Sequence, residues 1–179
     1  HGVFTEFSER AVTPSPWPRI PYREAMAKYG TDKPDLRNPI EIVDVTEHFA
    51  RDDVEFRAFK STIGKGGVVR AIPVKGAAAQ PRSFFDKMIE FAQGLGAPGL
   101  GYIVFDDGAG KGPIAKFIPP EVLTDLREQV GLADGDALFL SCDAPMVATR
   151  YAGAVRTELG LQLDLLEKDA FRFCWIVDY

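Results

Sequence analysis

The stretch "GYIVFDDGAGKGPIAKFI", residues 101–118, decides the fold because it joins apolar runs through a polar, glycine-rich turn. GYIVF predicts a strand, and the three glycines of DDGAGKG predict a reversal of the chain. PIAKFI is then expected to return beside GYIVF as its antiparallel partner. The stretch therefore predicts an antiparallel sheet.

Helix signals lie on both sides of this hairpin. PPEVLTDLREQVG (119–131) has proline at its start, acids in its first turns and glycine at its end, the favoured places for each. SFFDKMIEFAQGLG (83–96) has an apolar face at helical spacing and closes on glycines. Further on, ALFLSCDA (137–144) predicts a strand, MVATRYAGAVRTEL (146–159) a helix, and FRFCWIVD (171–178) a final strand.

A second strand pair is expected before the first helix. VEFRAF (54–59) alternates apolar and polar residues as a half-buried strand does, KSTIGKGG (60–67) reads as a turn, and VVRAIPV (68–74) reads as the next strand. The order between Val54 and Val130 is then ββαββα. These patterns predict an α+β fold of two layers, a mainly antiparallel sheet with helices packed on one face.

The N-terminal segment has a different character. TPSPWPRIPY (13–22) carries four prolines and predicts an extended arm. YREAMAKYG (22–30) predicts a short helix that stops at Gly30. A strand through Ile42 and Val43 is expected next, with Thr46 as the N-cap of a turn.

Composition narrows the class of protein. A net charge of −5 argues against bulk electrostatic binding of nucleic acid, although a local basic patch stays open. Two cysteines predict reduced thiols, and two histidines without a Cys/His cluster predict no metal site. No run approaches the roughly 18 apolar residues of a membrane span, and no signal peptide is apparent, so a soluble cytoplasmic protein is expected. The first residue is not methionine and the last strand stops abruptly, which predicts a piece of a larger protein.

No complete active site emerges from the residues. DDGAGKG resembles a phosphate loop, but Lys111 is followed by glycine and proline where a P-loop has Ser or Thr and opens a helix, so a hairpin turn is preferred. The adjacent acids at 52–53 and 106–107 read as turn residues, and no nucleophile elbow accompanies the internal histidine, His48. We predict no catalytic, cofactor-binding or metal-ligating residue.

A longer motif points to a family. The segment 18–46, with YGTDKPDLR at 29–37, closely resembles the segment that leaves the catalytic core of bacterial aspartyl-tRNA synthetases. The strings AIPVKGA, GAPGLGYIVF, GPIAKFI and DGDALFLSCDA resemble the GAD domain inserted in those enzymes. GAVRTELG and FCWIVDY resemble the return into the core.

The resemblance implies a domain organisation. Residues 1–50 would lead out of the parent catalytic core, 51–145 would form the GAD insertion, and 146–179 would return to the core. It also implies a cytosolic class II parent, a homodimer that forms aspartyl-adenylate from ATP with Mg²⁺ and transfers aspartate to tRNA.

The parts of that family that carry the reaction do not match here. FRAF (56–59) has phenylalanine where the family's motif 2 has glutamate, and neither the G-x-D-R of motif 3 nor the anticodon-binding domain has a counterpart. We therefore transfer no catalytic residue from the family and predict that the chain alone is inactive, with no cofactor of its own.

The resemblance implies an accessory domain near the acceptor end of tRNA, with a protein-interaction module or a purely structural insertion as alternatives. The candidate RNA contacts are Lys60, Lys65, Arg70, Lys75, Lys111 and Lys116. A joint, YGTDKPDLRNP (29–39), follows the predicted helix at 22–30. Four charged residues there are expected to hold the departing chain by ion pairs and turn hydrogen bonds: Asp32, Lys33, Asp35 and Arg37. Direct contact of Lys33 or Arg37 with tRNA or substrate stays open.

Overall fold

The structure, a computed structural model, describes residues 2–179. The helices are α1 (Gly2–Phe7), α2 (Tyr22–Tyr29), α3 (Thr46–Ala50), α4 (Arg57–Ile63), α5 (Arg82–Gly94), α6 (Pro120–Gln129) and α7 (Pro145–Gln162). The strands are β1 (Ala11–Val12), β2 (Arg19–Pro21), β3 (Val43–Asp44), β4 (Val68–Val74), β5 (Gly101–Asp106), β6 (Ala109–Lys111), β7 (Ala137–Asp143), β8 (Ala170–Phe171) and β9 (Trp175–Val177). Within residues 2–179, no helix is both long and apolar enough to cross a membrane.

A five-stranded antiparallel sheet is the centre of the fold, with strand order β3-β4-β7-β5-β6. Strand β7 lies in the middle, and every residue from Ala137 to Cys142 is buried. Its register places Val69 opposite Cys142 on one side and Ile103 opposite Leu138 on the other. The α+β class and the antiparallel sheet predicted from the sequence are thereby confirmed.

Helices cover both faces of the sheet, where the sequence predicted helices on one face. Leu138 and Leu140 of β7 pack with α3, α4 and α6, whereas Ala137 and Phe139 pack with α5 and α7. The reason lies in β7 itself: both of its alternating sets are apolar, and such a strand needs cover on each side. The observed arrangement has three layers rather than two.

The strand pair predicted for residues 54–74 does not form, and the predicted order ββαββα does not hold. Residues 57–63, expected to end one strand and begin a turn, form helix α4, and β4 pairs with β3 and β7. Phe56, Phe59 and Ile63 all pack into the same core cluster. Their i, i+3, i+7 spacing places them on one face of a helix. The segment is therefore helical, although VEFRAF also has the alternating pattern of a strand.

The partner of β5 is also shifted from the predicted position. Asp107 and Gly108 both have positive φ, 51° and 71°, and form a two-residue turn that pairs Asp106 with Ala109. Two positive-φ residues are the signature of a type I′ hairpin, for which Asp-Gly is favoured. β6 therefore begins at Ala109, and PIAKFI contains a 3-10 turn at Ala115–Phe117 instead of the expected strand.

The two ends of the described chain form a separate arm beside the sheet. β1 pairs with β8 and β2 with β9, both in parallel, so the predicted final strand is divided in two. An aromatic cluster holds the arm together, with Trp17 stacked on Phe173 at 4.8 Å and Phe4 at 4.9 Å from Phe171. Helix α2 follows the arm and ends, as predicted, at Gly30, whose φ of 71° is left-handed.

Candidate nucleic-acid interface

The structure does not bring the six candidate RNA-binding cations to one surface. Lys60 lies on α4 and donates to the carbonyl oxygens of Arg51 and Asp52 at 2.8 and 3.3 Å. Lys65 precedes β4 and Lys75 follows it, both exposed. Seven strand residues separate them, which places them roughly 20 Å or more apart. The "hairpin" expected to present these residues is therefore not a common surface.

Arg70 has a structural role at the edge of the sheet. Its guanidinium contacts the Asp44 carboxylate at 2.7 Å and ties β3 to β4, and only 17% of the side chain is exposed. The Nε atom of Arg70 is buried and has no hydrogen-bond partner in the part of the chain that the structure describes. Such a paired, largely buried arginine is poorly placed to contact a phosphate.

Lys111 and Lys116 do meet, at a groove between the β5–β6 hairpin and α6. The groove has a volume of about 690 Å³. Phe105, Ile118 and Leu123 give it an apolar lining. Arg127, which the sequence analysis did not select, is the third cation of the groove. It projects from the last turn of α6, where a cation is favoured by the helix dipole.

Two of the three groove cations already have carboxylate partners. Lys111 Nζ lies 2.5 Å from Asp106 Oδ2, and this hydrogen bond lowers the pKa of Asp106 and raises the pKa of Lys111. Arg127 donates to Asp134 at 2.8 Å. Lys116 has no ion pair within the described residues, and its ammonium lies 5.0 Å from the centre of the Phe117 ring. The groove thus offers one unpaired cation and two that an RNA phosphate would share with Asp106 and Asp134.

At the joint, the four predicted charges pair with their neighbours in sequence. Lys33 lies 2.8 Å from Asp32, and Arg37 makes two hydrogen bonds to the Asp35 carboxylate at 2.9 and 2.7 Å. These hydrogen bonds lower the pKa of both aspartates. Pairs this local shape the turn but do not connect it to another element. The Lys33 side chain is 83% exposed.

The long-range connection of the joint is made by residues that sequence analysis missed. Arg156 and Asn38 are 1% and 4% exposed, and Arg156 donates to the carbonyl oxygens of Asp35, Asn38 and Ile40 at 2.6–3.1 Å. Asn38 Nδ2 donates in return to the Arg156 carbonyl at 2.9 Å. The sequence signal for Arg156 was its place among small and apolar residues of the predicted helix MVATRYAGAVRTEL.

The central antiparallel sheet and the helices packed on it define the chain as an α+β domain. The sequence profile of the GAD domain matches residues 59–152, and the chain belongs to the GAD domain family.

Relatives match beyond that profile, over nearly the whole chain. Aspartate–tRNA(Asp/Asn) ligase of Methylocella silvestris is 58% identical over 99% of this chain and 29% of its own length. The enzymes of the same name from Methylobacterium sp. 4-46 and Rickettsia felis are 55% and 54% identical over 99% and 100% of this chain. The chain spans about 30% of the length of these relatives.

Among solved structures, a hypothetical protein from Pyrococcus horikoshii OT3 matches 67% of the chain at 16% identity with a TM-score of 0.38. A similarity this low carries no argument about fold or function.

Proposed function

We propose that this chain is the accessory GAD insertion of an aspartate–tRNA ligase, together with the segments that join it to the catalytic core. The observation that carries the proposal is the 54–58% identity to such ligases across the whole chain. The longer protein would act in the cytoplasm as a homodimer, activate aspartate with ATP and Mg²⁺, and transfer it to tRNA. The names of the relatives favour activity on both tRNA-Asp and tRNA-Asn.

In this proposal the chain itself is not catalytic. Among residues 2–179 no group of three or more His, Cys, Asp or Glu side chains could hold a metal ion. We assign no step of the reaction, and neither Mg²⁺ nor ATP, to the described residues. Both would be held by the other parts of the longer protein.

The role of the domain would be to position tRNA near its acceptor end. The groove beside α6 supports this role, because its lining brings together three cations, Lys111, Lys116 and Arg127, and Lys116 has no ion pair within the described residues. A base of the RNA would pack against the apolar lining, and the cations would contact its phosphate groups. Lys116 is the strongest contact candidate because no carboxylate of the described residues competes for it.

The experiment is tRNA binding by the chain at increasing salt, comparing Lys116→Ala with Lys87→Ala. Lys87 is an exposed lysine on α5, which packs against the opposite face of the sheet, and it makes no ion pair with any residue from 2 to 179, so it is a matched control. Each neutralised phosphate contributes about 0.7–0.9 to the slope of log affinity against log salt. We expect Lys116→Ala to reduce the slope by about that amount and Lys87→Ala to leave it unchanged.

In the full-length ligase, Lys116→Ala should raise KM for tRNA and leave aspartyl-adenylate formation unchanged. Equal losses in both steps would contradict a positioning role.

A protein-interaction or purely structural module is the second candidate. It is favoured by the carboxylate partners of Arg70, Lys111 and Arg127, which leave little free positive charge. Binding of tRNA that is absent, or that does not change with salt, would support this alternative.

A further inference from the structure

Helix α7 is buried on two sides, and the second side carries the inference. One side, including Ala152, Val155 and Leu159, packs on the sheet with α5. The other side presents Gly153, Arg156 and Gly160, at i, i+3 and i+7, to α2 and to the joint that follows it (residues 31–42). The helix therefore contacts the sheet and the joint at the same time.

Small residues allow this approach. A Cβ on Gly153 would lie 2.8 Å from the carbonyl oxygen of Gly30, and one on Gly160 would lie 2.3 Å from Asn38 Nδ2. Both distances are shorter than real Cβ contacts. The glycines thus let the backbone of the joint lie directly on the helix, on either side of Arg156.

Arg156 donates its hydrogen bonds to backbone oxygens of the joint, not to a carboxylate. Its three acceptors are backbone carbonyls at positions 35, 38 and 40, and it makes no ion pair within residues 2–179. The Tyr29 ring at the end of α2 lies 5.0 Å from the guanidinium. Burying a cation without an anionic partner costs free energy. We therefore expect Arg156 to fix the geometry of the joint rather than to raise the stability of the chain. The planar fork of arginine can reach three separated carbonyls, which a lysine ammonium on the same helix cannot reproduce.

We propose that Arg156 is a positioning residue that locks the joint onto α7, so that helix α2 and the five-stranded sheet hold one fixed orientation. The joint is then a rigid strut between two units rather than a hinge. This inference does not depend on whether the domain contacts RNA.

The test measures orientation and local exchange separately. Spin labels on Arg23→Cys in α2 and Lys87→Cys in α5, both exposed positions, report the distance between α2 and the sheet layer in a chain whose native cysteines are replaced by alanine. We expect a narrow distance distribution with Arg156 present and a broadened one in Arg156→Lys. Arg37→Gln, which removes only the local pair with Asp35, is the matched control and should leave the distribution narrow.

Hydrogen exchange then distinguishes positioning from general support of the fold. In Arg156→Lys we expect the joint amides of Asn38, Ile40 and Ile42 to exchange at least about tenfold faster, the loss of a hydrogen bond from a charged donor. Amides of β7 should keep their protection. An unchanged distance distribution, or an equal loss of protection in the joint and β7, would overturn the proposal.

Should Arg156→Lys fail to fold, Asn38→Ala is read by the same two criteria. It removes the hydrogen bonds to the Arg156 carbonyl and the Ile40 amide without altering a charge. Global unfolding of both variants would also overturn the proposal, because the residues would then support the whole fold rather than the joint.

Discussion

At the residue scale, Gly30 and Gly153 touch through their backbones where α2 ends against α7. A Cβ on Gly30 would lie 2.5 Å from the Gly153 Cα atom, and Gly30 also needs its positive φ of 71°. The contact depends on the absence of side chains at both positions. Further along the joint, Arg156 and Asn38 hold it against α7 with hydrogen bonds.

Gly153→Ala should therefore destabilise the chain. The added methyl would meet backbone atoms of Gly30, and overpacking of this kind costs about 1–3 kcal/mol. Gly94→Ala is the control, because Gly94 ends α5 and no atom of residues 2–179 lies within 4 Å of its Cβ position. This variant should be neutral or gain up to about 1 kcal/mol of stability. Urea unfolding of both variants measures the difference, and equal effects would contradict the packing argument.

Cys142 should be slow to react in the folded chain. Burial raises the pKa of the Cys142 thiol to about 11, and burial also raises the pKa of the half-buried Cys174. Since the thiolate is the nucleophile, Cys142 holds only about a thousandth of its population in reactive form at pH 8. Cys142 should react with a disulfide reagent at that pH at least about 100-fold faster after the chain is unfolded in guanidinium. Mass spectrometry of the labelled peptide measures the two rates. Rapid labelling of Cys142 in the folded chain would contradict its burial.

At the element scale, the sequence predicted the elements whose signals are local and unopposed. Helices α5, α6 and α7 and strands β5 and β7 lie close to their predicted ranges, because their apolar period and their proline or glycine ends agree. Helix α4 was missed because Val54 to Phe59 fits both a strand and a helix period, and only packing decides between them. The partner of β5 was misplaced because the Asp-Gly turn was not read as a two-residue hairpin.

Site residues were harder to predict than elements. The groove joins Lys111 on β6, Lys116 in a 3-10 turn and Arg127 on α6, and no local pattern indicates that these residues meet. Arg156 and Asn38 are separated by 118 positions, so their contact depends on the whole fold. Charged residues that pair locally, such as Asp35 and Arg37, were recognisable from the sequence.

Phe85 should be the main aromatic contact of α5 with the sheet. It is 3% exposed and stacks on Tyr102 at 4.6 Å and on Phe139 at 5.6 Å. Phe85→Ala should destabilise the chain by about 3–5 kcal/mol, the usual cost of removing a buried aromatic ring. Phe84→Ala, at a partly buried neighbouring position, should cost clearly less in thermal or urea unfolding. Similar losses for the two variants would contradict this assignment.

At the scale of the whole molecule, hydrogen bonds to carboxylates predict sensitivity to acid. Lysine or arginine partners lower the pKa of five carboxyl groups, those of Asp32, Asp35, Asp53, Asp106 and Glu167. A lowered folded-state pKa stabilises the chain above the unfolded value of about 4 and loses that contribution as pH falls through the folded value. The urea midpoint should therefore drop between pH 5 and pH 2. A constant midpoint over that range would contradict the prediction.

The arm pairs residues that are very far apart along the chain, since Ala11 lies beside Ala170 and Arg19 beside Trp175. Closing so long a loop costs the most chain entropy of any contact in the fold, and strands of two and three residues return little for it. We expect these pairings to form last during folding and to open first under native conditions, while the central sheet stays intact. A protease acting on the folded chain would accordingly trim the arm long before it reached the sheet, leaving a resistant core that still contains α2, the joint and the five-stranded sheet.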